Sequence, residues 1–203
     1  VPVPAPRSVR SFTTLTAEHL RRLDDIAEAH HRVLAARHPE WTGELLATCL
    51  VQGGARHFVH GDRGVKDLDV YLFYALPDGR SAAHFPLNRG TRHADFGVSD
   101  LGRQLLREEE RADPALRRKV ARWESFEGRR VDLLARAIPP HPGGARTAVR
   151  EWLTRGSRKR PSAGGSDWHL SRTPVVCLRP DLGAVWWRGP DVDEPGIEKG
   201  LYP

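Results

Sequence analysis

The sequence predicts an α/β (α+β) fold from three observations. A run of strand-forming residues extends from Asp67 to Ala75, a second apolar run extends from Arg129 to Ile138, and helical patterns opened by capping residues lie around them. At 203 residues the chain is long enough to bury a substantial core as one domain. Hydrophobic residues make up 39% and charged residues 29%, a balance that excludes global disorder.

The elements follow in order. Thr16 is placed to cap a helix in which Leu20, Leu23, Ala27, His30 and Leu34 recur at helical spacing, and Pro39 stops it. An apolar segment at about residues 46–52 reads as a strand ending at Gly53 and Gly54, and "ARHFVHG" then has room for a turn of helix. After the strand at 67–75, "PDG" supplies turn chemistry and "RSAAHFPL" is expected to return as the second arm of a hairpin. "RHADFG", residues 92–97, has a loop-like composition; it could line a pocket, and His93 and Asp95 are equally well explained as turn residues. Ser99 is expected to cap a helix packing Leu101, Leu105 and Leu106. Asp113 and Pro114 open another, with Leu116, Val120 and Trp123 on one face. Residues 129–138 form a strand containing Asp132, "PPHPGG" a linker and "ARTAVREWLTRG" a helix. Residues 157–167 have the composition of a mobile loop, and "TPVVCLRPDLGAVWWRG" suits a closing hairpin. The chain thus divides into a flexible segment 1–14, a core at 15–140, and an extension at 141–203 belonging to the same domain.

Composition also bounds function. No apolar run approaches the roughly 20 residues needed to cross a bilayer. The opening "VPVPAPRSVRSF" lacks the apolar block of a secretory signal, so a cytoplasmic protein without membrane contact is expected. Cys49 and Cys177 lie in apolar surroundings and are expected to be buried free thiols. Residues 103–160 hold 16 Lys+Arg against 8 Asp+Glu, and the rest of the chain 16 against 18. The basic excess is therefore local, either a solvated helix face or a landing surface for a phosphate-rich partner.

The chemistry concentrates in "VQGGARHFVHGDRGVKDLDVYLF". Residues two apart on a strand share a face, so Asp67 and Asp69 project together while Leu68 and Val70 enter the opposite layer. Ionised carboxylates beside a core require a positive partner: either an arginine, which would make them structural, or a metal. Convergent carboxylate oxygens suit Mg²⁺, and Asp132 on a neighbouring strand would complete a cluster able to hold two ions. Gly53 and Gly54, followed at once by helix, offer backbone N–H groups to a phosphate.

These residues resemble the polymerase-beta-like nucleotidyltransferase superfamily. Its pattern is a Gly-Gly or Gly-Ser pair, a spacer of about ten residues, Asp-x-Asp in a hydrophobic strand, and a later third Asp on another strand. Here the pair is Gly53 and Gly54, then Asp67-Leu68-Asp69, then Asp132. Ala55, Gly61, Arg63 and Asp67-Leu68-Asp69 are further similar to the abortive-infection type toxins of that superfamily. The chain departs from the pattern at Gln52 and Lys66, where a hydrophobic and a small hydroxyl residue are usual.

The resemblance implies a nucleotidyltransferase-like mixed sheet with helices packed against it. It implies a catalytic and metal-binding set of Asp67, Asp69 and Asp132 holding two Mg²⁺. Gly53 and Gly54, with Arg56 and Lys66, would bind the phosphates of a nucleoside triphosphate. The reaction implied is transfer of a nucleoside monophosphate to an acceptor hydroxyl on RNA, such as tRNA, or on protein, in a toxin with a cognate antitoxin. An antibiotic-type small-molecule enzyme and an inactive nucleotide- or RNA-binding module are the alternatives.

Overall fold

A computed structural model describes residues 9–41, 43, 45–86, 91–157 and 170–189. Its centre is a six-stranded mixed sheet of β1 (Leu45–Val51), β2 (Leu68–Ala75), β3 (Arg92–Asp95), β4 (Arg130–Ile138), β5 (Val175–Arg179) and β6 (Val185–Trp187), in the order β3-β4-β2-β1-β5-β6. Only β2 and β4 run parallel; the other neighbouring pairs are antiparallel. Helices α1 (Ala17–Arg37), α2 (Gln52–His60), α3 (Glu108–Ala112), α4 (Arg117–Glu124) and α5 (Gly144–Ser157) surround it.

Alternation along the strands sorts the side chains into two cores. Leu50, Leu68, Val70, Leu72, Val131, Leu133 and Ala135 meet α1 and α2 on one face. Ala47, Cys49, Val51, Tyr71, Phe73 and Ile138 meet Ala148, Val149 and Leu153 of α5 on the other. α1 is fastened across two strands as well as packed: Thr48 donates to Asp24 at 2.7 Å, and Arg179 reaches Asp24 at 2.8 Å and Glu28 at 2.5 Å. Cys49 and Cys177 are buried free thiols, facing each other as register partners on β1 and β5. No helix among the described residues is long and apolar enough to cross a membrane.

The structure differs from the sequence-based expectation in three places. The hairpin after "PDG" does not form, and residues 82–84 make a turn of 3₁₀ helix instead. Both edges of β2 are already taken, by β1 and β4, so a returning strand has no edge to pair with. "RHADF" supplies the edge strand β3, where loop was expected. The helix opened by Ser99 is confined to α3, because Leu101 and Leu106 join different hydrophobic clusters and Gly102 adopts φ +69°. A helix cannot carry that left-handed residue in its interior.

Residues 9–14 are attached to the body of the protein, Ser11 exchanging backbone hydrogen bonds with Val65 at 2.8 and 2.6 Å. The basic loop expected at 157–167 lies almost wholly outside the described residues, as does the tail beyond 189.

Candidate functional site

Parallel pairing of β2 with β4 makes Asp69 and Asp132 register partners. On the other side of β2, Asp69 pairs with Val51, the last residue of β1, immediately before the glycines. The third aspartate and the glycine bend thus both meet Asp69, from opposite sides, although 62 residues lie between the two aspartates.

The bend is abrupt. Gln52 opens α2 with φ +52°, a left-handed conformation uncommon for a side-chain-bearing residue. The first turn of α2 has no side-chain cap, so its N–H groups are left for another acceptor. The two glycines differ in role. A Cβ on Gly54 would lie 2.8 Å from Leu50 Cδ1, so this glycine lets α2 pack tightly on β1, whereas a Cβ on Gly53 would meet nothing within 4 Å. Gly53 is thus the open one.

Asp67, Asp69 and Asp132 have unequal surroundings. The guanidinium of Arg130 donates from Nη2 to Asp67 Oδ2 at 2.6 Å and from Nε to Asp132 Oδ1 at 2.7 Å. His93 Nδ1 lies 2.8 Å from the same Asp132 oxygen. The Asp69 side chain makes no hydrogen bond or ion pair among the described residues. Its carboxyl is held well above the usual range, first by burial and then by the negative charges of Asp67 and Asp132, which Arg130 and Lys66 only partly offset.

The charged residues expected to touch phosphate are engaged locally. Arg56 binds the Asp62 carboxylate through contacts of 2.7 to 3.1 Å, a pairing that lowers the Asp62 pKa. Lys66 donates to Glu110 of α3 at 2.8 Å and lies 4.0 Å from Asp67. Neighbouring Arg129 faces the other way and ties three segments together, donating to the carbonyls of Leu101 (3.0 Å), Val9 (2.7 Å) and Lys66 (3.3 Å).

Arg130, His93 and Glu110 complete this cluster; the sequence pointed to neither Arg130 nor Glu110, and it placed His93 in a loop that could line a pocket without pairing it with Asp132. Arg130 was within reach, because it stands two residues before Asp132 and so shares its face of the strand. His93 was not, since its role depends on β3 pairing with β4, which places it opposite Asp132.

Among the described residues no three His, Cys, Asp or Glu side chains converge as a ready metal cage. The donor chemistry nevertheless fits a hard divalent cation. Asp69 carries a carboxyl group without a direct ion pair, and Asp67 Oδ1 and Asp132 Oδ2 have no hydrogen-bond donor among the described residues.

On the same face of the sheet, the outer side of α5 presents a shallow depression of about 660 Å³ lined by Arg146, Thr147, Arg150, Glu151, Thr154 and Arg155. A second, of about 500 Å³, lies between α1 and the β3 edge and is lined by Arg37, Arg92 and Arg122 with Ile26 and Val33. Neither is lined by the aspartates, whose claim to function rests on charge and register. Comparison with protein-family models, curated proteins and solved structures returns no match.

Proposed function

We propose that the chain is a metal-dependent nucleotidyltransferase that moves a nucleoside monophosphate from a nucleoside triphosphate to an acceptor hydroxyl. One observation carries this reading: Asp69, without a partner, stands between Asp132 on one neighbouring strand and the uncapped start of α2 on the other. Anionic oxygen donors and backbone phosphate donors thus lie side by side, as the handling of a metal-bound triphosphate requires.

In this reading the open N–H groups at Gly53 hold phosphate oxygens, and Gly54 fixes the approach of the helix that carries them. A divalent cation held by Asp69 with Asp67 and Asp132 would supply charge neutralisation of the phosphates. Asp132 orients the acceptor hydroxyl and receives its proton, with His93 positioned behind it. The acceptor oxygen forms a bond to the α-phosphorus while the bond between that phosphorus and the β-phosphate bridging oxygen breaks, releasing pyrophosphate. The basic outer side of α5 supports a polyanionic acceptor such as RNA, over a protein or a small molecule. A role as a toxin paired with an antitoxin is a further part of this proposal, drawn from the motif alone.

Arg130 favours a second reading, a nucleotide-binding module without turnover, since it is already paired with two of the three aspartates. Incubation of the protein with α-labelled triphosphates, Mg²⁺ and total RNA separates the two. Label transferred to RNA by the wild type and not by Asp69→Asn supports the enzyme. Triphosphate binding without transfer to RNA, protein or small hydroxyl acceptors supports the module. Binding and transfer both unaffected by Asp69→Asn would remove this cluster from either role.

A further inference from the structure

Arg130 is only 7% exposed and belongs to the site by construction. Its backbone N–H is fixed by Gln104 Oε1 at 3.0 Å, and its guanidinium lies 4.2 Å from the centre of the Trp123 ring. From there Nη2 and Nε reach Asp67 and Asp132, one carboxylate each. The local charges do not balance. Lys66 is engaged by Glu110 at 2.8 Å and reaches Asp67 only at 4.0 Å, which leaves Arg130, at 2.6 and 2.7 Å, in direct contact with both Asp67 and Asp132, while the Asp69 side chain makes no ion pair beside them. The third nitrogen, Nη1, is buried and has no hydrogen-bond partner among the described residues, so the guanidinium is held by two of its three nitrogens.

Resting on the nucleotidyltransferase reading above, we propose that Arg130 is a built-in cation occupying the place of one of two metal ions, so that the cluster takes a single divalent ion at Asp69. Three carboxylates can hold two divalent ions only if their oxygens are free to face both. Here one oxygen of Asp67 and one of Asp132 are committed to a guanidinium that stacking and a strand backbone hold in place. A second ion would have to displace a charge that is already there. It would also have to leave that charge buried beside itself, which like-charge repulsion opposes. Arg130 thereby sets the metal stoichiometry of the site and lowers its affinity for divalent ions. Removing the guanidinium should open the second position.

Mn²⁺ serves as the probe, measured by electron paramagnetic resonance and calorimetry on the full chain with a non-hydrolysable triphosphate analogue. The wild type is expected to bind one Mn²⁺. Arg130→Met should bind two, or bind the first at least tenfold more tightly, and Mn²⁺ should raise its melting temperature more than that of the wild type. Arg130→Gln, which keeps polarity without charge, should behave alike and serves if the Met variant does not fold. Two ions in the wild type, or equal stoichiometry and affinity in wild type and variants, would overturn the proposal while leaving the enzymatic reading intact. Absence of both Mn²⁺ and analogue binding in every variant would overturn the two together.

Discussion

Asp69 stands opposite Asp132 across the parallel pairing of β2 with β4, yet Arg130 binds Asp132 and leaves the Asp69 side chain without an ion pair among the described residues. The site is therefore asymmetric. Two carboxylates share one guanidinium, and the third is buried without an ion pair, which disfavours its charged form.

Asp69→Asn should stabilise the fold while abolishing triphosphate-dependent activity. A carboxyl with a raised folded pKa binds its proton more tightly folded than unfolded. Stability therefore falls as pH rises from the unfolded value of about 4 towards the raised one. The Asn variant lacks this penalty, so denaturant titrations should favour it at pH 8 by on the order of 1 kcal/mol, with the gap closing near pH 4. A wild type more stable than the variant at pH 8 would show that Asp69 has a partner.

The glycines should separate stability from binding. Gly54→Ala drives a methyl group against buried Leu50 and should lower stability by about 1–3 kcal/mol. Gly53→Ala meets open space and should leave stability unchanged or raise it by up to about 1 kcal/mol. If Gly53 lies on the phosphate path, its methyl group should nonetheless weaken triphosphate binding, measured by calorimetry. Unaltered binding in Gly53→Ala would place the phosphates elsewhere.

Asp95 predicts an acid limit to stability. Burial alone would raise its pKa, but N–H donors from Glu127 (2.7 Å), Gly97 (2.8 Å) and Gly128 (2.9 Å) outweigh burial and lower it. Its contribution is complete above the unfolded value of about 3.9 and is lost as pH falls through the lower folded one. Asp95→Asn should cost about 1–3 kcal/mol at pH 7 and flatten the loss of stability in acid, followed by circular dichroism.

Arg146 on α5 is exposed and tests the polyanion surface. Arg146→Ala should leave stability within about 0.5 kcal/mol. It should reduce the salt dependence of single-stranded RNA binding by about 0.7 in log–log slope. An unchanged slope would remove α5 from the acceptor surface.

What the sequence made legible follows from where information is local. β2 and β4 announce themselves through apolar, strand-forming residues, Thr16 marks the start of α1, and Asp113 caps the 3₁₀ turn Pro114–Leu116 that leads into α4. The spacing of the glycines and aspartates was equally readable, because strand alternation decides which carboxylates share a face. β3 was hidden because four exposed or partly exposed residues, three of them polar, become a strand only where β4 offers an edge. The apolar pattern after Ser99 misled because Leu101 and Leu106 serve two separate cores, a division made by tertiary packing. Asp67 found its cation 63 positions away, at Arg130, which no local window contains.

Since β2 and β4 lie parallel and adjacent, the chain must leave one end of the sheet and travel back to the other before Asp132 can take its place. That return journey, residues 76–129, carries β3, α3 and α4, and its length does not enter the spacing of the two strands. Evolution or an engineer can lengthen, shorten or recharge this excursion to suit another acceptor while the paired aspartates keep their separation.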